Sequence, residues 1–352
     1  MENNVVLYRK YRPQGFDEVI GQEHIVQTLT NSIKNEAVSH AYLFSGPRGS
    51  GKTTMARIFA KAINCIATPK LSAKAGEAFN IPCNKCESCL EISASKSLDL
   101  IEIDAASHTG VDDVRELIEG MKFAPVKSKY KIFIIDECHK LSKAASNALL
   151  KTLEEPPSYV VFLLATTEAH KMIPTIISRC QRFDFKRLHT PEIIKKLEFI
   201  VEKEGIKFED SALALIALNA RGSFRDAESL LDKCISFSGT GKKITAQDIK
   251  ELLGIVEVSQ ISQFVEFLLA KQAKEAILFL NGLVEAGVDL QEFTKTLVFY
   301  LRQALLLKIS PELLNTETPG LSKEEITTMK TQVEKLGEKD LQIWLQLFIA
   351  AE

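Results

Sequence analysis

The chain has 352 residues, enough for two or three domains, and its 45% apolar and 26% charged residues exclude a disordered protein. A net charge of -2 supplies no general attraction to nucleic acid, so any DNA contact must come from a local basic face or from helix N-termini. The polar start and the longest apolar run, residues 159–165, give neither a targeting segment nor a membrane span; the sequence reads as cytoplasmic, where seven cysteines are thiols or metal ligands rather than disulfides.

In chain order, a basic and aromatic cluster comes first, Tyr8-Arg9-Lys10-Tyr11-Arg12-Pro13, followed by Phe16 and by Val19-Ile20-Gly21-Gln22. Pro13 favours extended backbone at Arg12, and a helix is predicted over 23–34 with Ile25, Leu29 and Ile33 on one face. An apolar strand over 41–44 then runs into Gly46-Pro47-Arg48-Gly49-Ser50-Gly51-Lys52-Thr53, with a helix predicted over 54–64. This is GxxxxGKT between a strand and a helix, the context in which backbone N–H groups and the helix N-terminus cradle phosphates. Lys52 is placed to reach β- and γ-phosphates, and the Thr53 hydroxyl to bind magnesium.

Three further apolar stretches, 98–103, 131–135 and 159–165, alternate with helical patterns over 111–121 and 142–154, the second stopped by Pro156-Pro157. Such alternation predicts an α/β fold with a parallel sheet covered on both faces and a ligand at the carboxyl ends of its strands. Ile132-Phe133-Ile134-Ile135 ends in Asp136-Glu137, where an apolar core has no use for acids. Asp136 is expected on magnesium, directly or through water, and Glu137 is expected to polarise an attacking water. At the next strand end, Thr166-Thr167 offer hydroxyls to that water or to the γ-phosphate, and Ser178-Arg179-Cys180 presents an arginine just before a strand over 182–185.

Cys83, Cys86 and Cys89 follow C-x2-C-x2-C, with Cys65 at the end of the phosphate-loop helix as the fourth ligand of a structural zinc. An iron-sulfur cluster is the alternative, although Leu90 and Glu91 stand where the ferredoxin pattern continues to a fourth cysteine. Cys138, Cys180 and Cys234 are isolated and read as small buried hydrophobes. Beyond Thr190-Pro191, a good helix start, the pattern is helical through 210–220 and 225–237, breaks at Ser238-Gly239-Thr240-Gly241, and stays helical to the end.

Taken together, Tyr11-Arg12-Pro13, Ile20-Gly21-Gln22-Glu23-His24, the phosphate loop, the cysteine set, Ile135-Asp136-Glu137-Cys138-His139, Ala165-Thr166-Thr167, Ser178-Arg179-Cys180 and Gly222-Ser223-Phe224-Arg225-Asp226 resemble one family over nearly the whole chain. It is the tau/gamma family of bacterial DNA polymerase III, the ATPases of the sliding-clamp loader within the AAA+ class. The resemblance implies an ATPase domain over 1–180 with a zinc module at 65–89, a helical lid over 181–240, and a helical oligomerisation collar over 241–352. It implies ATP, Mg2+ and Zn2+ as cofactors, with Arg12, Val19 and Ile20 at the adenine and the loop residues Gly46 to Thr54 around the phosphates. Thr167 and Arg225 would sense the γ-phosphate, and Arg179 would act as a finger on a neighbouring subunit's nucleotide. The partners implied are copies of the chain and other loader subunits in a ring or spiral, the sliding clamp, and primed DNA held by its backbone; no membrane is involved. Helix N-termini such as 109–112 are candidates for that DNA contact.

Two features depart from the family pattern. Seventeen residues, 66–82, separate the first two cysteines and predict an enlarged surface loop, and the chain stops at Glu352 inside a helical pattern marked by Leu341, Trp344, Leu345, Leu347 and Phe348. The collar is therefore expected to be incomplete at its C-terminus. A DExH helicase would share Asp136 to His139 but needs a second strand series after Thr190; a scaffold subunit without hydrolysis would be expected to lack Lys52 or Glu137.

Overall fold

The computed structural model describes residues 5–66, 81–107, 110–238, 243–254, 256–310 and 323–351. The chain falls into two compact units, Met1–Ser236 and Phe237–Glu352. In the first, five strands form one parallel sheet: β1 (Ala41–Ser45), β2 (Leu100–Asp104), β3 (Lys131–Asp136), β4 (Val160–Thr166) and β5 (Gln181–Asp184), in the order β2-β3-β4-β1-β5.

The alternating side chains of the strands feed two cores. Tyr42, Phe44, Ile132, Ile134, Val161 and Leu163 pack with Ile25 and Leu29 of helix Glu23–Lys34 and with Met55 and Phe59 of helix Lys52–Ile63. On the other face Leu43, Phe133, Ile135, Phe162 and Leu164 pack with Val114 of helix Val111–Met121 and with Leu149 and Leu153 of helix Lys143–Glu154. Burying both faces explains why the strands read as unbroken apolar runs. Every residue of β4, the central strand, is buried.

Register then decides what meets at the carboxyl edge. Ser45 pairs with Thr166 and Asp104 with Asp136, so the ends of β1, β3 and β4 lie side by side although more than 80 residues of chain separate Ser45 from Asp136. The sequence reading missed several boundaries for local reasons. β2 starts at Leu100 rather than 98, because the buried carboxylate of Asp99 turns away to accept the N–H groups of Val126, Lys127 and Ser128 at 2.7, 2.9 and 2.8 Å. The phosphate-loop helix starts at Lys52 rather than Thr54, because Gly51, at φ 98°, already serves as its N-cap. Helix Glu87–Ser93, inside the cysteine stretch, was not foreseen.

The domain boundary expected at residue 180 also needs correction: β5 lies beyond it yet pairs with β1, and its Phe183 covers Tyr42 and Phe44. The helical lid begins at Thr190, with helices Thr190–Glu204, Asp210–Asn219 and Phe224–Ser238. Gln22 fastens the segment between β5 and the lid. Its amide donates to the Lys186 carbonyl at 2.9 Å and accepts from the Lys186 N–H at 3.3 Å, with the side chain almost wholly buried.

The second unit is helical throughout its described residues: Ala246–Leu253, Val258–Leu269, Ala273–Glu285, Leu290–Ile309, Lys323–Glu334 and Glu338–Ala351. Phe264, Phe293, Leu297, Leu301 and Leu341 form its core, and a buried Gln332 joins Tyr300 Oη at 2.8 Å to Ser262 Oγ at 2.9 Å. The apolar positions of the last helix divide: Leu341 is buried, whereas Ile343, Leu347 and Ile349 are exposed. Most of the expected break at 238–241, and Thr109, lie outside the described residues. No described helix is long and apolar enough to cross a membrane.

Replacing Gln22 by Ala strips both backbone groups of Lys186 of their partner. The expected cost is about 1–3 kcal/mol of stability, read from the urea midpoint, with secondary structure unchanged.

Candidate functional site: a nucleotide cleft and a cysteine cluster

The loop between β1 and helix Lys52–Ile63 curls through left-handed glycine positions, with φ 73° at Gly49 and 98° at Gly51. At Gly49 a Cβ would run into Ser223 Oγ, and the Gly49 carbonyl accepts the Phe224 N–H at 3.2 Å, so the lid rests directly on this loop. Lys52 folds back over the turn. Its Nζ donates to the carbonyls of Gly46 at 2.9 Å and Pro47 at 2.8 Å. Burial lowers its pKa, against the opposing pull of Glu137 and Asp136. Ser50 Oγ closes the loop on Pro47 O at 2.8 Å.

The acids expected at the end of β3 arrive at this loop. Thr53 Oγ1 donates to Asp136 Oδ2 at 2.7 Å, and the Glu137 N–H donates to Asp136 Oδ1 at 2.9 Å. Glu137 itself takes φ 46° and ψ 41°, a left-handed conformation unusual for a residue with a side chain. That turn carries its carboxylate to β4, where Thr167 Oγ1 donates to Glu137 Oε2 at 2.8 Å. His139 joins the same group, with Nδ1 3.0 Å from Thr166 Oγ1 and 3.5 Å from Glu137 Oε2, and Nε2 3.1 Å from Glu168 Oε2. The sequence offered no signal for this imidazole contact beyond its place in the motif, because its partners lie a whole strand away.

From here a cleft of about 700 Å³ extends past Arg48 and Thr54 to Val19 and Ile20 and to the lid residue Arg225. Arg12 Nε donates to Thr54 Oγ1 at 3.0 Å, and the Arg225 guanidinium lies 5.1 Å from the centre of the Tyr8 ring. The structure thus gathers Arg12, Val19, Ile20, the loop, Asp136, Glu137 and Arg225 around one space, with Thr167 bound to Glu137 behind it.

Sequence reading did not assign several of the cleft's charges to the site, among them Arg57, paired with Glu102 at 2.6 Å, Lys196, and Glu228. Glu228 stands one turn beyond Arg225 on the same helix, and that spacing was the signal available. It is only 6% exposed, and burial pushes its carboxyl up to about 7 against the pull of Lys196 and Arg12. Arg179 is elsewhere and does not line this cleft. It follows the short helix Pro174–Ile177, donates through Nη1 to the Thr175 carbonyl at 2.8 Å, and pairs through Nη2 with Glu154 at 2.6 Å.

The sulfur atoms of Cys65, Cys83, Cys86 and Cys89 all lie within 4.8 Å of one another. Four convergent thiols are the donor set of a closed tetrahedral metal site, so these residues fit a metal ion. Burial would raise the Cys83 thiol, but backbone hydrogen bonds from Lys85 and Cys86 outweigh it and leave the group lowered to about 6. Beside the cluster the buried Lys61 donates to Gln14 Oε1 at 2.9 Å, Asn84 Oδ1 at 2.8 Å and Ser93 Oγ at 3.2 Å, which ties the cysteine stretch to the N-terminal segment. Most of the long insertion between Cys65 and Cys83, residues 67–80, lies outside the described residues. Cys138 and Cys234 are buried as expected, whereas Cys180 is half-buried.

A parallel sheet in this strand order, a phosphate loop at its carboxyl edge and a helical lid seated on that loop define a AAA+ P-loop ATPase fold, which implies use of a nucleotide with magnesium. The fold is shared with the RuvB Holliday junction branch migration motor of Thermotoga maritima, at a TM-score of 0.50 and 19% identity over 79% of this chain and 86% of that one. Family models described as DNA polymerase III, delta subunit, as DNA polymerase III clamp loader subunit, ATPase lid domain, and as DNA polymerase III subunits gamma and tau domain III match residues 21–189, 192–240 and 244–352. DNA polymerase III subunit tau of Bacillus subtilis is 48% identical over 87% of this chain, and subunit gamma of Buchnera aphidicola is 39% identical over 90% of this chain and 82% of its own length. The chain belongs to the tau/gamma family of bacterial DNA polymerase III subunits. It spans about half the length of the tau subunits it matches, 53% of the Bacillus subtilis protein and 51% of that of Escherichia coli.

The raised Glu228 carboxyl sets a pH dependence. Between the ordinary carboxylate value and about 7 the folded state holds a proton that the unfolded state has lost, so stability falls as pH rises through that window and stays lower above it. Glu228→Gln removes the penalty: it is expected to exceed the wild type by on the order of 1–3 kcal/mol in urea titrations at pH 8 and to match it near pH 4.

Proposed function

We propose that this chain is an ATP-hydrolysing motor subunit of a bacterial DNA polymerase III clamp loader, a cytoplasmic part of the polymerase holoenzyme that opens the sliding clamp and loads it onto primed DNA. The observation that carries the ATPase reading is the meeting of Thr53, Asp136 and Glu137 with the phosphate loop beneath a lid that touches that loop. Family membership supports the rest.

Lys52 exchanges its two loop carbonyls for the β- and γ-phosphate oxygens, which also restores the charge that burial disfavours. Thr53 and Asp136 hold magnesium, which supplies positive charge against the phosphates when bound. Glu137 orients and polarises the attacking water, and Thr167, already hydrogen-bonded to that carboxylate, links the γ-phosphate to it. Arg225 reaches the same phosphate from the lid, and Arg12, Val19 and Ile20 border the adenine.

Arg179 serves the nucleotide of a neighbouring subunit. Its pairing with Glu154 is partly exposed, and such pairs are worth about 0–1 kcal/mol, so the arginine is released at little cost when a phosphate is presented to it. ATP therefore joins subunits in a ring or spiral containing copies of this chain and other loader subunits. Hydrolysis removes the γ-phosphate on which the joint depends, and the assembly releases the closed clamp. DNA is held by its backbone, because a loader acts at any primer end. The helical unit Phe237–Glu352 supplies the oligomerisation collar. Cys65, Cys83, Cys86 and Cys89 hold a structural zinc without an open position.

Two tests follow from these assignments. Glu137→Gln should retain ATP binding but lose at least about 100-fold in turnover when mixed with clamp, primed DNA and the other loader subunits, and Arg179→Ala should lose the stimulation those partners give; unchanged rates in either variant reject the corresponding assignment. For the metal, elemental analysis of the purified chain should find one zinc per molecule, and Cys86→Ser should reduce both its retention and the melting temperature. A folded chain free of metal would reject the zinc assignment.

A further inference from the structure

Glu228 is a charged group of the cleft that the mechanism leaves without a task, and its surroundings are unusual for a carboxylate. It is buried, it faces the nucleotide space, and among the described residues none donates a hydrogen bond to it or lies within ion-pair distance. Buried polar groups are nearly always paired, so an unpaired one that borders a ligand cleft points to a partner that comes with the ligand.

The position within the cleft narrows the partner. The charges that act on Glu228 are Lys196 and Arg12, and both belong to the side of the cleft formed by the N-terminal segment: Lys196 Nζ donates to the Tyr11 carbonyl at 3.2 Å, and Arg12 lies on that segment. The same segment carries Val19 and Ile20, which provide apolar wall to the cleft that Glu228 lines. A phosphate cannot be the partner, since it is itself an anion and an acceptor. A carboxylate requires a donor, and the buried donor of a nucleotide seated between apolar residues is the exocyclic amine of adenine. Guanine presents a carbonyl oxygen at that position, which an ionised Glu228 would repel.

We propose that Glu228 is a specificity-determining residue of this site, accepting a hydrogen bond from the exocyclic amino group of adenine and so selecting ATP over GTP. The assignment rests on the ATP-site reading above. It also gives a reason for keeping a group that costs stability in the nucleotide-free chain, because bound adenine would supply the missing donor.

The test is equilibrium binding at pH 8, where the carboxyl is ionised, for the wild type, Glu228→Gln and Glu228→Leu, with ATP, GTP, purine riboside triphosphate (ATP without the amino group) and 2′-deoxy-ATP as ligands. The wild type is expected to favour ATP over purine riboside triphosphate and over GTP by about tenfold or more. Glu228→Leu should bring both ratios below about threefold by weakening ATP, and Glu228→Gln, whose amide oxygen still accepts, should fall between. Melting curves without ligand check that the variants fold, and if the leucine variant does not, the glutamine variant alone decides. A wild type that binds ATP but does not distinguish it from purine riboside triphosphate overturns the proposal, as does a discrimination that survives in both variants. A loss confined to the contrast between ATP and 2′-deoxy-ATP also overturns it, because the donor would then be the sugar. If the wild type binds none of these nucleotides, the ATP-site reading itself fails.

Discussion

The site depends on a single hydrogen bond, from Thr53 Oγ1 to Asp136 Oδ2 at 2.7 Å. It joins the first turn of one helix to the end of a strand 83 residues away, and neither end could find the other without the strand order β3-β4-β1. Parallel pairing aligns all carboxyl ends on one edge, and placing β4 between β1 and β3 leaves a crevice there. The two residues satisfy each other, and in the function proposed above the same pair would hold magnesium, which would supply positive charge against the phosphates.

A second constraint joins the lid to the loop. Gly49 has no Cβ because Ser223 occupies that space, and its carbonyl accepts the Phe224 N–H. Arg225 is the next residue, so the lid arginine follows directly on the contact with the phosphate loop. Gln22 ties the connecting segment at Lys186, and Arg187 Nη1 donates to the Arg221 carbonyl at 2.8 Å, so the path from sheet to lid is held at several points. In the function proposed above, loss of a γ-phosphate at the loop would reach the lid through these hydrogen bonds.

Buried charge marks the places where stability is spent on function. Lys52, Lys61 and Glu228 are all nearly inaccessible, and burial moves the pKa of each toward its neutral form. Lys61 is fully committed to three oxygen acceptors and acts as a joint between the cysteine stretch and the N-terminal segment. Among the described residues Lys52 has only backbone carbonyls to hold and Glu228 has no hydrogen-bond partner, which is why both are proposed above to meet the nucleotide. The gradient from satisfied to unsatisfied follows the path from scaffold to binding space.

The chain's sequence by itself determined the chemistry that is local. The strand-loop-helix around GxxxxGKT, the apolar run ending in Asp136-Glu137 and the C-x2-C-x2-C spacing are each contained in a few consecutive residues, and the structure brings their members together. Periodicity also located every helix longer than one or two turns except Glu87–Ser93, where cysteine ligand spacing masks the apolar pattern. What only the tertiary structure decided is whatever depends on strand order and on the lid's seat. The membership of β5 in the sheet, the contact of His139 with Thr166, and the arrival of Glu228 and Arg12 in one cleft all join residues far apart in the chain. The left-handed turn at Glu137 is decided there too, since nothing in Asp136-Glu137-Cys138 requires it until Thr167 stands at the neighbouring strand end to receive the carboxylate. Periodicity and spacing report the short-range forces that shape a helix or a loop, whereas a buried carboxylate is recognisable only once its neighbours are known.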